Sequence, residues 1–141
     1  MSSLSITSNA NHSHELTVRV YYEDTDAGGV VFYANYLKFF ERARTEMLRS
    51  MGFEQDQLIS EQKVIFVVRS VQIDYISSAR FNDSLVVSAE VTQAKKVSLS
   101  FEQIITRNGD VLCKGKIRIA CLDAETMKPK AIPDNLLQKL L

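Results

Sequence analysis

The chain has 141 residues, enough for one domain with a core of its own. Its 17 basic and 17 acidic side chains cancel, which gives no support to an extended nucleic-acid surface. No apolar run approaches the roughly 20 residues that span a bilayer. The opening stretch MSSLSITSNANHSHE lacks the basic start and apolar core of a signal peptide. The expectations are a mobile polar tail over 1–15, a single domain over 16–141 and a cytoplasmic setting.

From Leu16 the chain alternates. Leu16, Val18, Val20 and Tyr22 stand against Thr17, Arg19 and Tyr21, which predicts a strand with one buried face. By this pattern Tyr22 packs in the core. The stretch EDTDAGGVVFYANY, Glu23 to Tyr36, then brings Glu23, Asp24 and Asp26 together ahead of Gly28-Gly29 and an apolar-aromatic run. From Tyr36 to about Met51 the period turns helical. Tyr36, Phe39, Phe40, Ala43 and Met47 form one stripe, and Lys38, Glu41, Arg42, Thr45 and Arg49 another. Asn35 suits the cap at the start and Gly52 the stop at the end.

Beyond Lys63 the chain reads as four strands. Arg69, Val71, Ile73 and Tyr75 oppose Ser70, Gln72 and Asp74. Leu85, Val87, Ala89 and Val91 form the apolar side of the next, and Val97, Leu99 and Phe101 that of the third. Val111, Cys113, Ile117, Ile119 and Cys121 complete the set. Asn108-Gly109 suggests a tight hairpin, with further turns at Phe81-Asn82-Asp83 and Lys95-Lys96. Pro133 to Leu141 suggests a final helical turn or two. The sum is an α+β domain, its helix laid across one face of a five-stranded antiparallel sheet. The other face is left to solvent or to a second subunit.

Several chemistries lack their residues. His12 and His14, the two histidines, fall in the expected tail, so an ordered Ser-His-Asp or Cys-His base is missing. His12-x-His14 alone is a weak metal signal, and no metal site is expected. There is no GxxxxGK and no GxGxxG. Cys113 and Cys121 lie about 27 Å apart along one strand, beyond disulfide reach, and read as small buried hydrophobes. What remains is carboxylate and backbone. Asp26 precedes two glycines and a helix start, where a carboxylate and unpaired N–H groups can meet a ligand. On spacing alone the favoured reading is a loop whose acids complement the helix. Tyr33 could offer its main-chain N–H. Lys95-Lys96 reads as a solvated pair able to grip a phosphate.

The run from Tyr22 to Tyr36, followed by Phe40-Glu41-Arg42-Ala43-Arg44, closely resembles the hotdog-fold acyl-CoA thioesterases. It is most similar to the 4-hydroxybenzoyl-CoA thioesterase family and its Tol–Pal-associated (YbgC-type) relatives. The similarity extends from about Leu16 to Pro133, and it reverses the preference at Asp26. It implies a sheet wrapped around a central helix, subunits paired edge to edge, dimers stacked into a homotetramer and active sites at the dimer interface. It implies hydrolysis of acyl-CoA to free acid and CoA, with CoA as part of the substrate and no separate cofactor. Asp26 would be the catalytic carboxylate, the Tyr33 N–H would polarise the thioester carbonyl, and Tyr22 would line the site. Lys95 and Lys96, with Lys130 as a weaker third, would meet the CoA phosphates. Many relatives carry His where this chain has Tyr33; a mechanism built on Asp26 and a main-chain N–H does not need that imidazole. The alternative is a non-catalytic module binding acyl-CoA or an acyl-carrier protein in the same groove.

Overall fold

The computed structural model describes residues 3–5 and 13–140. Among these, the order is β1 (Ser3–Ser5), β2 (Ser13–Arg19), α1 (Asn35–Ser50), α2 (Gln55–Gln62), β3 (Val64–Tyr75), β4 (Ser84–Lys95), β5 (Ser98–Arg107), β6 (Asp110–Asp123) and α3 (Asp134–Leu140). The described pairings are antiparallel, in the order β1-β4-β5-β6-β3, with β2 also on β4. β1 pairs with Gln93–Lys95 and β2 with Ser84–Glu90. The two therefore share one edge of β4 end to end, and the sheet is five strands across, as expected. β2 starts at Ser13, so His14 lies in a strand opposite Ala89 rather than in a tail. The rest of the tail reading falls, apart from β1, outside the described residues; so does His12.

Helix α1 forms where the spacing predicts. Its buried side, with Phe39, Phe40, Ala43, Met47 and Leu48, faces the sheet. It ends as expected at Gly52, whose φ of 93° is left-handed. The Gly52 N–H donates to Arg49 O and the Phe53 N–H to Leu48 O, both at 2.9 Å, closing the last carbonyls in a Schellman arrangement. The start differs. Ala34 is the residue before the helix, and Asn35 is already inside the first turn. Its side-chain amide donates to Asp24 O at 2.9 Å, tying the helix to the preceding turn instead of capping it. Helix α2 is not visible in the sequence, because it buries Leu58 alone.

Two neighbouring residues on β5 and β6, the register pair Gln103 and Gly115, set α1 on the sheet. A Cβ at Gly115 would come within 2.9 Å of both the Phe40 ring and the Ile117 Cδ1. Gln103 is fully buried. Its amide donates to Phe40 O at 2.9 Å and to Ser88 O at 3.2 Å, and its oxygen accepts from Arg44 Nη1 at 2.8 Å. Burial lowers the Arg44 pKa from its ordinary value, with Glu41 acting the other way.

The strand pattern holds for β4, β5 and β6. At Asn108-Gly109, both left-handed, the chain makes the predicted hairpin. Cys113 and Cys121 are buried and free. Burial, with Asp74 adding to it, pushes the Cys113 thiol up to about 12. Burial against a smaller opposing effect of Lys130 puts Cys121 at about 11. β3 differs from expectation. It begins at Val64, and a bulge after Val68 shifts its register on β6. As the outer strand it leaves Arg69, Val71 and Tyr75 exposed, so of the expected buried face only Ile73 packs partly against the core. Among the described residues, no helix is long and apolar enough to cross a membrane.

Replacing Gln103 by Leu leaves the Arg44 guanidinium buried without its acceptor and removes the donor to Ser88 O. The expected loss is about 3 kcal/mol, read as a fall in the urea midpoint at unchanged slope.

Candidate active site

After Arg19 the chain leaves the sheet and makes a short 3-10 turn over Tyr22–Asp24. Asp24 Oδ2 accepts the Tyr21 N–H at 2.9 Å, and the Thr25 hydroxyl donates to Tyr22 O at 2.7 Å. Asp26 heads the next turn. Its Oδ1 accepts the Gly28 N–H at 2.8 Å, its carbonyl accepts the Gly29 N–H at 3.0 Å, and its N–H donates to Val30 O at 2.9 Å. This is an Asx turn closed by Gly29 at a φ of 79°, a conformation that favours glycine. Asp26 Oδ2 has no hydrogen-bond partner among the described residues, and the side chain is exposed.

Beyond the turn the chain docks on the segment after β3. Val31 N–H donates to Ala79 O at 2.8 Å, and Val30 bridges Arg80. The Phe32 N–H then returns to Asp24 O at 3.0 Å. At the entrance to α1, the N–H groups of Tyr33 and Ala34 meet no acceptor among the described residues. Two open donors at a helix start favour a negative or negatively developing oxygen.

Tyrosines brace this entrance. Tyr75, from the end of β3, donates its hydroxyl to Tyr33 O at 3.3 Å, and Tyr36 accepts the Ala79 N–H at 3.0 Å. Burial raises the pKa of both phenols, with the Ala79 bond lowering that of Tyr36.

Asp26, Tyr22 and Tyr33 therefore share one loop-to-helix segment. Tyr22 does not pack in the core as its alternation suggests. It is 80% exposed and meets the Phe81 ring edge-on at 5.9 Å, because pairing ends at Arg19 and the 3-10 turn swings it out. The Tyr33 ring is 63% exposed, against Phe32 and Tyr75.

The lysines are elsewhere. β4 begins at Ser84 beside this loop and ends at Lys95, so Lys95 and Lys96 lie about 36 Å away along the strand. Lys130 lies at that far end too, donating to Gln62 O at 3.2 Å and paired with Asp123 at 3.6 Å. One chain does not bring these three to Asp26. Residues that the sequence reading missed are Tyr75 and Asp83. Only the end of an alternating strand marked Tyr75, and Asp83 was read as a turn residue.

Asp83 anchors the segment beneath the loop. Arg107 reaches its Oδ2 at 2.7 Å and the Arg80 N–H reaches the same oxygen at 2.8 Å. Burial pushes the Asp83 pKa up, but these bonds and the charges of Arg107 and Arg80 outweigh it and hold it below the usual value. A depressed folded pKa means stability present above the unfolded value of about 3.9 and lost as pH falls through the folded value. Asp83→Asn is expected to lower the melting temperature at pH 7 and to flatten its fall below about pH 4, checked by melts across pH.

A long helix over a five-wide antiparallel sheet, with a carboxylate-headed turn and open N–H groups at the helix start, defines a hotdog-type α+β protein. A solved structure, a probable thioesterase from Bartonella henselae, matches at a TM-score of 0.82 and 35% identity, over 86% of this chain and 99% of that one. The thioesterase superfamily matches over residues 28–114, and this chain belongs to that superfamily. It is 52% identical to the acyl-CoA thioesterase YbgC of Haemophilus influenzae, over 84% of this chain and 88% of that protein. It is 46% identical to the acyl-CoA thioester hydrolase YbgC of Escherichia coli O6:H1, over 84% and 89%.

Proposed function

We propose that this protein hydrolyses acyl-CoA thioesters to a free acid and CoA. One observation carries the mechanism: a carboxylate with a free oxygen heads a turn that leads into a helix start with open N–H groups. The Tyr33 N–H polarises the thioester carbonyl, and Tyr22 lines the approach. Thiolate is a good leaving group, so no strong general acid is needed. Asp26 either attacks the carbonyl carbon or takes a proton from the water that does. Attack expels CoA thiolate and leaves a mixed anhydride, which water then opens.

The exposed apolar residues of β3 and its continuation, Val68, Val71, Tyr75 and Ile76, lie on an outer strand whose far edge pairs with no strand among the described residues and whose end meets Tyr33. This supports a second copy pairing there, with dimers stacking into a tetramer. In such an assembly Lys95 and Lys96 serve a CoA held on a neighbouring subunit. The buried, unoxidised Cys113 and Cys121 suit the expected cytoplasm.

The test is a panel of acyl-CoA and acyl-carrier-protein thioesters, run on wild type and Asp26→Asn. Thiol release by wild type and a loss of at least about 100-fold in the variant are expected. Binding without thiol release would make the groove a non-catalytic module. Single turnover in heavy-oxygen water separates the routes, since label enters Asp26 only if it attacks. Because the N–H is main chain, Tyr33→Phe is expected to keep kcat within about threefold, far from the 100-fold cost of a lost oxyanion donor.

A further inference from the structure

The Asp26 carboxylate rides on a miniature hairpin over residues 24–32. The Asp26 N–H donates to Val30 O at 2.9 Å, Thr25 and Val31 bridge below it, and the Phe32 N–H closes the base on Asp24 O at 3.0 Å. The second strand of this hairpin runs on into α1, so the covalent chain fastens it to the helix on that side alone. The strand of Asp24 meets the helix through one side chain. Asn35 donates its amide N–H to Asp24 O at 2.9 Å, and among the described residues this is the one side-chain hydrogen bond between residues 24–32 and α1.

Asn35 is 8% exposed, and an amide so buried is destabilising unless it is bonded. At a helix start the oxygen of an asparagine commonly accepts one of the free N–H groups. Here the amide serves the hairpin instead, and the Tyr33 and Ala34 N–H groups stay open. One residue thus ties the carboxylate to the helix and leaves the donors unblocked. Asp24 O has a second donor in the Phe32 N–H, so the hairpin closes without Asn35. What Asn35 adds is a second attachment, which removes the hinge about the Phe32–Tyr33 connection.

We propose that Asn35 is a positioning residue for the hydrolysis: its amide fixes the separation of the Asp26 carboxylate from the open N–H groups of α1. This rests on the acyl-CoA reading above. Carboxylate and donors act on the same carbonyl group, so they must be held at one spacing, and a misplacement of about 1 Å can cost about 100-fold in rate. The Asx turn orients the carboxylate within the hairpin, and Asn35 orients the hairpin on the helix.

Asn35→Ala removes the amide and leaves Asp24 O bonded, so the variant is expected to fold. On an acyl-CoA, well below both melting temperatures, its kcat is expected to fall about tenfold with KM within about twofold of wild type. Asn35→Ser, which keeps a donor on a shorter arm, recovers part of the loss. In an Asp26→Asn background Asn35→Ala costs nothing further, because no carboxylate is left to place. Hydrogen exchange reads the clamp without turnover. The Asp26, Gly29 and Phe32 amides exchange about tenfold faster in Asn35→Ala, while those in the middle of α1 keep their wild-type rates. An unchanged kcat would overturn the proposal, as would an equal loss in the Asp26→Asn background or faster exchange along the whole helix. Failure of wild type to release thiol would sink the hydrolysis reading alone, with the exchange rates still deciding whether Asn35 fixes the hairpin.

Discussion

Phe40 sits where helix and sheet are joined, and the rest of the architecture depends on that contact. Its ring presses on Gly115 and its carbonyl accepts from Gln103, the residue paired with Gly115 across two strands. Apolar contact alone is non-directional and would leave α1 free to slide or roll. A hydrogen bond from a fully buried amide supplies direction. The sheet gives up some of its own pairing for it. The β4–β5 ladder skips Ser88 and Ala89; Ser88 O goes to the Gln103 side chain, and the Ser88 hydroxyl oxygen takes the Ile104 N–H at 3.0 Å.

Once α1 is set, the position of its first turn is set too, and the candidate site follows from main-chain geometry. Asn35 ties the helix to Asp24, Val31 ties the loop to Ala79, and Tyr75 braces the Tyr33 carbonyl. The open donors at the helix start are backbone groups. A tyrosine can therefore stand at position 33, where the relatives of the resembled family often use histidine, without changing those donors. The cost is a loop with several exposed aromatic rings, tolerable where a ligand or a second subunit covers them.

Local chemistry was legible wherever a residue's role depends on its near neighbours. Helical spacing from Tyr36 to Met51, the stop at Gly52 and the hairpin at Asn108-Gly109 all appear as read. Asn35 misled because an amide at a helix start can satisfy either the helix or an adjacent turn, and Asp24 O was within reach. Tyr22 misled because alternation records spacing but not where strand pairing stops. α2 escaped notice because one buried leucine makes no stripe. At Asp26, spacing favoured a structural acid, and its Oδ1 does hold Gly28; the longer resemblance singled out the same residue for chemistry.

By itself the sequence determined the element types, their order, the α+β class and the segment in which acid, glycines and helix start converge. These follow from periodicities and backbone preferences acting over a few residues. Only the tertiary structure decided that β1 and β2 share one edge of β4, that β3 stands uncovered, and that Lys95, Lys96 and Lys130 lie at the end of the sheet away from Asp26. It alone showed that Arg107 is the arginine whose side chain pairs with Asp83. Those outcomes depend on strand order and on a pairing between residues 24 positions apart, which no local pattern encodes.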